Sequence, residues 1–218
     1  MDALIPMVER TRWINGEMNQ QGSGIGDISA LIRYVPLAST SDSGPFNHRL
    51  AIAIGAKAPT GETQQHSSGI YLDHDLQPGS GSWDALINFD YTAKYKNVGV
   101  QVFSITSINT VNLSAYRYGN TVSSLGQIFY QFKWNSFSIS PMMGIYHEFL
   151  AKDVHDGEVL DHSGGQVLYG SVGMDIRYKN VSIQGMWQDP FDQQLHGVQI
   201  PIKNRYQIGI VYSLKTKR

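Results

Sequence analysis

The sequence predicts an all-β fold, an antiparallel up-and-down transmembrane β-barrel with about ten strands in its 218 residues. Three observations predict it. Long segments alternate between apolar and polar side chains, which is the period of a strand. The apolar positions are rich in aromatic residues and the polar positions carry both signs of charge, the reverse of a soluble barrel. The connections also alternate between long and short from the third strand onward.

The clearest strand begins the segment 82–102, in which every second residue belongs to the same chemical class. The first set is Trp83, Ala85, Ile87, Phe89, Tyr91, Ala93 and Tyr95, and the second is Asp84, Leu86, Asn88, Asp90, Thr92 and Lys94. At roughly 3.3 Å per residue, a strand of this length crosses a bilayer when it is tilted. Lys96 and Asn97 form a tight turn, after which valines restart the apolar face. The segment therefore predicts a long hairpin with one apolar and one polar side.

Composition excludes several other classes. The net charge of −1 and the absence of a basic run give no reason to expect nucleic acid as a partner. The chain contains no Cys, which excludes a disulfide framework and thiolate metal sites. It has no run of 18 apolar residues, so no transmembrane helix is predicted. Residues 1–13 lack the pattern of a signal peptide, and we interpret the chain as a mature or truncated form.

Ten segments are predicted as strands. In order they are residues 4–14, 24–37, 48–59, 82–95, 98–110, 125–134, 137–149, 167–178, 181–188 and 205–214. Residues 15–22 are predicted as the loop after the first strand, and 39–47 are rich in turn-forming Ser, Asp, Gly and Pro.

The loop lengths predict which end of the barrel is which. The long connections are residues 60–81, 111–120, 150–165 and 189–203, and the short turns lie at residues 96–97, 135–136 and 179–180. Outer-membrane barrels have short periplasmic turns and long extracellular loops. The sequence therefore predicts one outer-membrane β-barrel domain over residues 1–218, with its last strand running toward the periplasm.

The two faces of the strands predict a polar lumen. Charges on the polar face are Asp27, Arg33, Lys57, Asp84, Asp90, Lys94, Lys133, Glu148, Asp175, Arg177 and Arg205. Aromatic residues near the ends of the apolar face are Tyr34, Trp83, Tyr95, Trp134, Phe137, Tyr178 and Tyr212. Aromatic girdles at the membrane interfaces account for the second set. We therefore expect the apolar face to contact lipid.

Three glycine-containing motifs adjoin strand ends: GSGIGD at 22–27, KAPTGE at 57–62 and QPGSGSW at 77–83. The first leads into a strand, so it has no helix N-terminus to hold a phosphate. An alternative to any binding role is that the glycines permit positive φ or close strand approach at a barrel rim. The motif residues of interest are Gly24, Gly26, Asp27, Lys57, Pro59, Thr60, Gly61, Gly79, Gly81 and Trp83.

The order of these motifs resembles the outer-membrane "transporter" family named for the MetA pathway of phenol degradation. The resemblance covers approximately residues 5–214. It implies a barrel in the outer membrane of a Gram-negative bacterium that passes aromatic or other hydrophobic compounds. Members carry a signal peptide and further N-terminal strands, so a truncated twelve-stranded barrel is an alternative. This chain also lacks the terminal aromatic residue expected of an insertion signal.

Candidate catalytic and metal-binding residues are few. Carboxylates beside His74, His155 and His162 could bind a divalent cation, but their spacing matches no known site. His147 beside Glu148 raises the possibility of a membrane-embedded hydrolase, although His147 falls on the apolar face and has no assignable Ser partner. We predict no catalytic residue, no metal and no cofactor.

The lumen carries the functional hypotheses. The predicted lining residues are Asp84, Asn88, Asp90, Lys94, Phe103, Phe129, Lys133, Tyr146, Glu148, Asp175 and Arg177. Their charges could line a channel or pair and close it. The aromatic residues among them could hold a hydrophobic solute. The leading hypothesis is a non-enzymatic channel whose partners are membrane lipid and a small hydrophobic solute. The alternative is a structural or loop-mediated binding barrel with a closed lumen.

Overall fold

The computed structural model describes residues 2–14, 17–39, 45–67 and 69–212. It is an all-β protein, as predicted, whose main element is a strongly curled antiparallel sheet in the form of a half-barrel. Within the described residues, no helix has the length and apolar character needed to span a membrane.

Eighteen strands occur in the described residues. They are β1 (Asp2–Leu4), β2 (Met7–Ile14), β3 (Glu17–Ile25), β4 (Ile28–Ala38), β5 (Phe46–Ala58), β6 (His66–Ser67), β7 (Ile70–Tyr71), β8 (Asp84–Tyr95), β9 (Val98–Asn109), β10 (Tyr116–Arg117), β11 (Thr121–Tyr130), β12 (Phe132–Trp134), β13 (Phe137–Leu150), β14 (Val154–His155), β15 (Glu158–Val159), β16 (Gly165–Tyr178), β17 (Val181–Leu195) and β18 (Arg205–Tyr212). A short 3-10 helix spans His74–Leu76.

Ten strands form the path of the main sheet, in the order β1, β4, β5, β8, β9, β11, β13, β16, β17 and β18. Short β12 continues the line of β11 beside β13. From β4 onward each long strand pairs with the next long strand in the chain, which is the predicted up-and-down connectivity. In the described part of the chain, β1 and β18 are the two ends of this order.

The three predicted short turns are confirmed. Tyr95 lies opposite Val98, so the β8–β9 turn has only two residues. Its first residue, Lys96, has a φ of 52°, in the left-handed region. Asn135 and Lys179 begin the other two turns with φ values of 46° and 50°. All three turns lie at the same end of the sheet, which we call the turn end; the opposite end is the loop end.

The prediction for the N-terminal segment was wrong. Residues 4–14 do not form one strand, because Pro6 separates β1 from β2 and its carbonyl accepts a hydrogen bond from the Gly26 amide at 2.9 Å. Residues 17–22 of the predicted loop belong to β3, which pairs with β2 in a hairpin outside the main sheet. The predicted strand 24–37 is consequently divided between β3 and β4.

Several other boundaries differ from the predicted ones. β11 begins at Thr121, four residues before the predicted start at Leu125, and β17 continues to Leu195 instead of ending at Gln188. The extension of β17 contains a bulge opposite Leu168 and Tyr169, which interrupts the simple period of two. Residues 213–214 of the last predicted strand lie outside the described residues.

The polar face of the sheet is inside and the apolar face is outside. On β8, Asp84 and Asn88 are each 2% exposed, whereas Ile87 and Phe89 are 46% and 40% exposed. The same alternation continues along the sheet. Buried polar residues on the inner face of the strands are Ser29, Asp84, Asn88, Asn109, Gln127, Ser138, Ser140, Ser171, Asp175, Ser182 and Gln188. The buried side chains of these strands are therefore mainly polar, and the exposed ones are mainly apolar.

Candidate functional site: the polar interior

The three glycine motifs converge on Asp27 at the loop end. Its carboxylate accepts hydrogen bonds from the Ser80 amide at 2.8 Å, the Ser80 hydroxyl at 2.6 Å and the Gly61 amide at 3.0 Å. Burial raises the pKa of Asp27, but these hydrogen bonds and the charge of Lys57 outweigh it and hold that pKa below 3.8. Asp27 is therefore ionised at neutral pH and ties all three motifs together.

Lys57 bridges this carboxylate to a second one. Its ammonium lies 3.4 Å from Asp27, contacts Asp84 directly, and donates to the Ser80 hydroxyl at 2.8 Å. The side chains of Asp27 and Asp84 are only 5% and 1% exposed. Asp84 also accepts from the Ser82 hydroxyl at 2.9 Å and the Thr110 amide at 3.0 Å. We call Asp27, Lys57, Ser80, Ser82 and Asp84 the rim cluster.

The motif glycines allow two backbone segments to touch at this rim. A Cβ on Gly79 would lie 2.5 Å from the carbonyl carbon of Gly61, and one on Gly61 would lie 2.7 Å from the Cα of Gly79. Gly81 has a φ of +71°, which favours glycine. A Cβ on Gly26 would lie 2.9 Å from Pro6. Close approach at a rim accounts for Gly26, Gly61 and Gly79, and positive φ accounts for Gly81, as expected from the alternative to a binding role.

The remaining motif residues have separate positions. The Thr60 hydroxyl accepts a hydrogen bond from the Ile28 amide at 2.9 Å, which joins the second motif to the start of β4. Gly24 lies within β3, where a Cβ would meet Gln65 and Pro78 at an acceptable 3.4 Å. Pro59 follows β5, and Trp83 is 62% exposed beside Asp84. These residues shape the rim without entering the cluster.

A cavity of about 990 Å³ lies at the loop end beside the rim cluster. The His74 ring stacks on Tyr116 with a centroid separation of 4.0 Å, and the Tyr118 hydroxyl donates to the His74 carbonyl at 2.7 Å. Tyr116 donates to Asp153 at 2.5 Å.

Burial and the nearby charge of His155 hold the pKa of His74 below 6.5. Burial also raises the pKa of Tyr118, so its hydroxyl remains a donor.

The acidic residues around His74 are largely committed to arginines of the β2–β3 hairpin. The Arg12 guanidinium contacts Asp73 directly and lies 3.0 Å from Asp75. Arg10 donates to the carbonyls of Asp75 and Gln77, each at 2.9 Å. Within the described residues, no group of three His, Cys, Asp or Glu side chains is arranged to hold a metal ion. The hairpin instead fastens the long loop after β5 over the loop end.

The midsection of the interior is closely packed. It consists of two rows of cross-strand neighbours: Ala53, Asn88, Ile105, Ser123, Glu148 and Val167, followed by Ala51, Asp90, Phe103, Leu125, Tyr146 and Tyr169. Tyr169 and Ala51 are fully buried. Arg205, on β18, lies 4.2 Å from the ring centroid of Tyr169 and 5.0 Å from that of Tyr146. It also pairs with Glu148 at 3.2 Å.

Two cavities occupy the interior between the midsection and the turn end. The middle cavity has a volume of about 520 Å³ and the turn-end cavity about 740 Å³. They share Lys94, Gln131 and Arg177 in their walls, so they adjoin each other. The loop-end cavity shares none of its described lining residues with either. The midsection therefore separates the interior into two compartments.

The structure distributes the predicted lining residues among these zones. Asp84 belongs to the rim cluster; Asn88, Asp90, Phe103, Tyr146 and Glu148 belong to the midsection; Lys94, Phe129, Lys133, Asp175 and Arg177 line the two lower cavities. All of them lie on the inner face. The three aromatic residues that were expected to hold one solute are divided between the midsection and the middle cavity.

Sequence reasoning missed two residues at the centre of the midsection. Tyr169 was not singled out, although it has the same parity along β16 as Asp175 and Arg177. Arg205 was assigned to the polar face, but its contact with Glu148 joins residues 57 positions apart, and no local pattern predicts such a pair. His147 faces outward and lies 3.3 Å from Gln166, as its parity predicts.

No family model matches the chain, and no curated protein matches it. The resemblance to the MetA-pathway of phenol degradation family stays a prediction from the three motifs.

Proposed function

We propose that the chain forms an outer-membrane β-barrel channel for small hydrophobic or aromatic compounds, without catalysis. The observation that carries this proposal is the inverted distribution of polarity. An exposed apolar belt surrounds buried polar residues such as Asn88, Gln127 and Asp175. Lipid is the environment in which such a belt is stable, because exposed apolar area of this extent in water promotes association.

The compartments of the interior support passage of solutes. Cavities of about 990 Å³ at the loop end and 520 and 740 Å³ toward the turn end each have room for a small molecule. Only the midsection separates them. A solute must displace the side chains of Tyr146, Tyr169 and Arg205 to cross, so we place the barrier to permeation there.

The close packing of the midsection also favours a second candidate, a barrel with a closed lumen whose loops bind a partner. Arg205 satisfies Glu148 and contacts two aromatic rings, and such paired charges within a narrow barrel can seal it. In that case the functional surface would be the loop end, where His74, Tyr116 and Tyr118 lie.

Reconstitution in lipid tests both candidates. The purified protein is inserted into planar bilayers and into liposomes, with an empty-liposome control. The channel proposal predicts discrete conductance steps and swelling of liposomes in isotonic solutions of small aromatic compounds. An inserted protein that gives neither would overturn the channel proposal and favour the closed barrel.

A further inference from the structure

The two ends of the interior differ in charge: the acids of the loop end are mostly paired with bases, whereas the cations of the turn end meet few carboxylates. The loop-end cavity is lined by the acids Asp27, Asp73, Asp75, Asp153 and Asp161 and by the bases Arg10 and Lys57. The turn-end cavity is lined by Lys94, Lys133, Arg177 and Lys179, and no carboxylate occurs among its described lining residues. This separation distinguishes the turn end from an ordinary mixed polar lining.

The cations of the turn-end cavity are brought together by strand register. Lys133 lies opposite Ser138, which in turn lies opposite Arg177, so the two cations face each other across a residue with a small side chain. Lys94 enters the same cavity from β8 and donates to Gln131 at 2.9 Å. Ser138 and Gln131 are neutral, so they do not offset the positive charge.

One carboxylate, Asp175, lies at the limit of ion-pair distance from this group of cations. Asp175 lies 4.0 Å from Arg177, beyond hydrogen-bond distance, and it accepts a hydrogen bond from Gln184 at 3.0 Å. It lines the middle cavity and not the turn-end cavity. Like charges crowded in a cavity raise one another's energy, and an anion that enters relieves this repulsion.

An apolar surface adjoins these cations. Lys94 lies opposite Gly99, and Gly99 lies opposite Phe129. The Phe129 ring occupies the space that a side chain at position 99 would fill, since a Cβ there would lie 2.2 Å from Cζ of Phe129. Met142 lies on the other side of Phe129 and also lines the middle cavity. The ring and the thioether form one apolar wall beneath the cationic group.

We propose that the adjoining turn-end and middle cavities bind small organic anions with an apolar body, such as aromatic carboxylates. Lys94, Lys133 and Arg177 hold the anionic group, and Phe129 with Met142 contacts the body. Rings of Lys and Arg side chains select anions in pores, and aromatic rings stack favourably on Phe. This inference rests on the proposed channel function and specifies the charge of its solutes.

The test compares ions in a planar bilayer. With a potassium chloride gradient, the native protein is expected to give a reversal potential that indicates preference for chloride over potassium. The double variant Lys94→Glu and Lys133→Glu is expected to lower the chloride-to-potassium permeability ratio by roughly tenfold. Lys96→Glu is the matched control, because Lys96 lies in the same turn region but points toward the outward-facing Tyr95 ring, at 5.4 Å. It should leave the ratio unchanged.

A second measurement tests the apolar wall. Benzoate and chloride are compared as permeant anions by their reversal potentials in planar bilayers. We expect benzoate to permeate at least as well as chloride, and Phe129→Ala to reduce benzoate permeability more than chloride permeability. Equal effects on benzoate and chloride would overturn the assignment of Phe129 to the solute's apolar body.

The failures of the two proposals are distinguishable. Absence of any conductance from inserted protein contradicts the channel function itself. Conductance without anion preference, or a preference that the glutamate variant does not alter, leaves the channel intact and overturns only this inference. Where the glutamate variant fails to fold, judged by its electrophoretic shift on heating, Lys94→Gln with Lys133→Gln replaces it and must reduce the preference.

Discussion

Replacing Lys57 with Met should destabilise the protein more than any other change at an inner-face lysine. The variant removes the ammonium that contacts Asp84 and lies 3.4 Å from Asp27, and it leaves both buried carboxylates without that charge. Removing one partner of a buried ion pair costs about 3–5 kcal/mol in free energy of unfolding. Lys57 is 23% exposed, and the hydrogen bonds to Asp27 and Asp84 remain. We therefore expect a loss of about 3 kcal/mol, at the low end of that range.

The measurement is guanidinium unfolding of the protein in lipid vesicles, followed by the fluorescence of its four Trp residues. Lys96→Met is the control, because an exposed turn lysine should change the free energy of unfolding by less than about 0.5 kcal/mol. The double variant Lys57→Met with Asp84→Asn should be more stable than Lys57→Met alone, since it removes one uncompensated charge. A Lys57→Met variant as stable as Lys96→Met would refute the assignment of the rim cluster as a buried ion-pair network.

Three other predictions concern the rim, the midsection and the loop end. Gly79→Ala should lower the free energy of unfolding by about 1–3 kcal/mol, because the new Cβ would lie 2.5 Å from the Gly61 backbone. Gly126→Ala is the control, since the space at that position is open and the variant should not be destabilised. Equal stabilities of the two variants in vesicles would contradict the close contact. Tyr146→Ala should raise the unitary conductance, because it shortens a side chain of the midsection. Ile145→Ala is the control, since Ile145 faces outward and its removal should leave the conductance unchanged. A conductance that does not respond to Tyr146→Ala would contradict the placement of the permeation barrier at the midsection. The pKa of His74 in the folded protein lies below its unfolded value of 6.5, so the unfolded chain binds a proton first as the pH falls. The free energy of unfolding should therefore decline below pH 6.5, and His74→Gln should reduce that decline. An identical dependence on pH in the two proteins would contradict the burial of His74.

The sequence was sufficient to predict the long strands of the main sheet from β4 to β18, because apolar and polar residues alternate along them. The β8–β9 hairpin illustrates this, with both bounds and the turn near their predicted positions. The short strands β6, β7, β10, β14 and β15 were not predicted, because they lie in segments that were expected to be loops. The β2–β3 hairpin was missed because residues 17–24 have few apolar side chains and no alternation. Arg10 and Arg12 of this hairpin contact residues more than 60 positions away, and local patterns do not encode such contacts.

The candidate site was predicted in its components more than in its arrangement. Parity along each strand assigned residues such as Lys94 and Arg177 correctly to the inner face. The convergence of three motifs on Asp27, and the packing of Arg205 against Tyr169, depend on how far the sheet curls. Sheet curvature arises from the sum of many small twists and from the β17 bulge, so it cannot be read from any single segment.

The central claim is that the apolar face contacts lipid and the polar face contacts water. Because the chain contains no Cys, single spin labels can be placed at Val100, Gln101 and Val102 in vesicle-embedded protein. We expect labels at Val100 and Val102, each more than 40% exposed on the outer face, to collide preferentially with oxygen dissolved in lipid. The label at Gln101 should collide preferentially with a water-soluble nickel chelate. The opposite pattern, or labels that do not alternate, would contradict the claim.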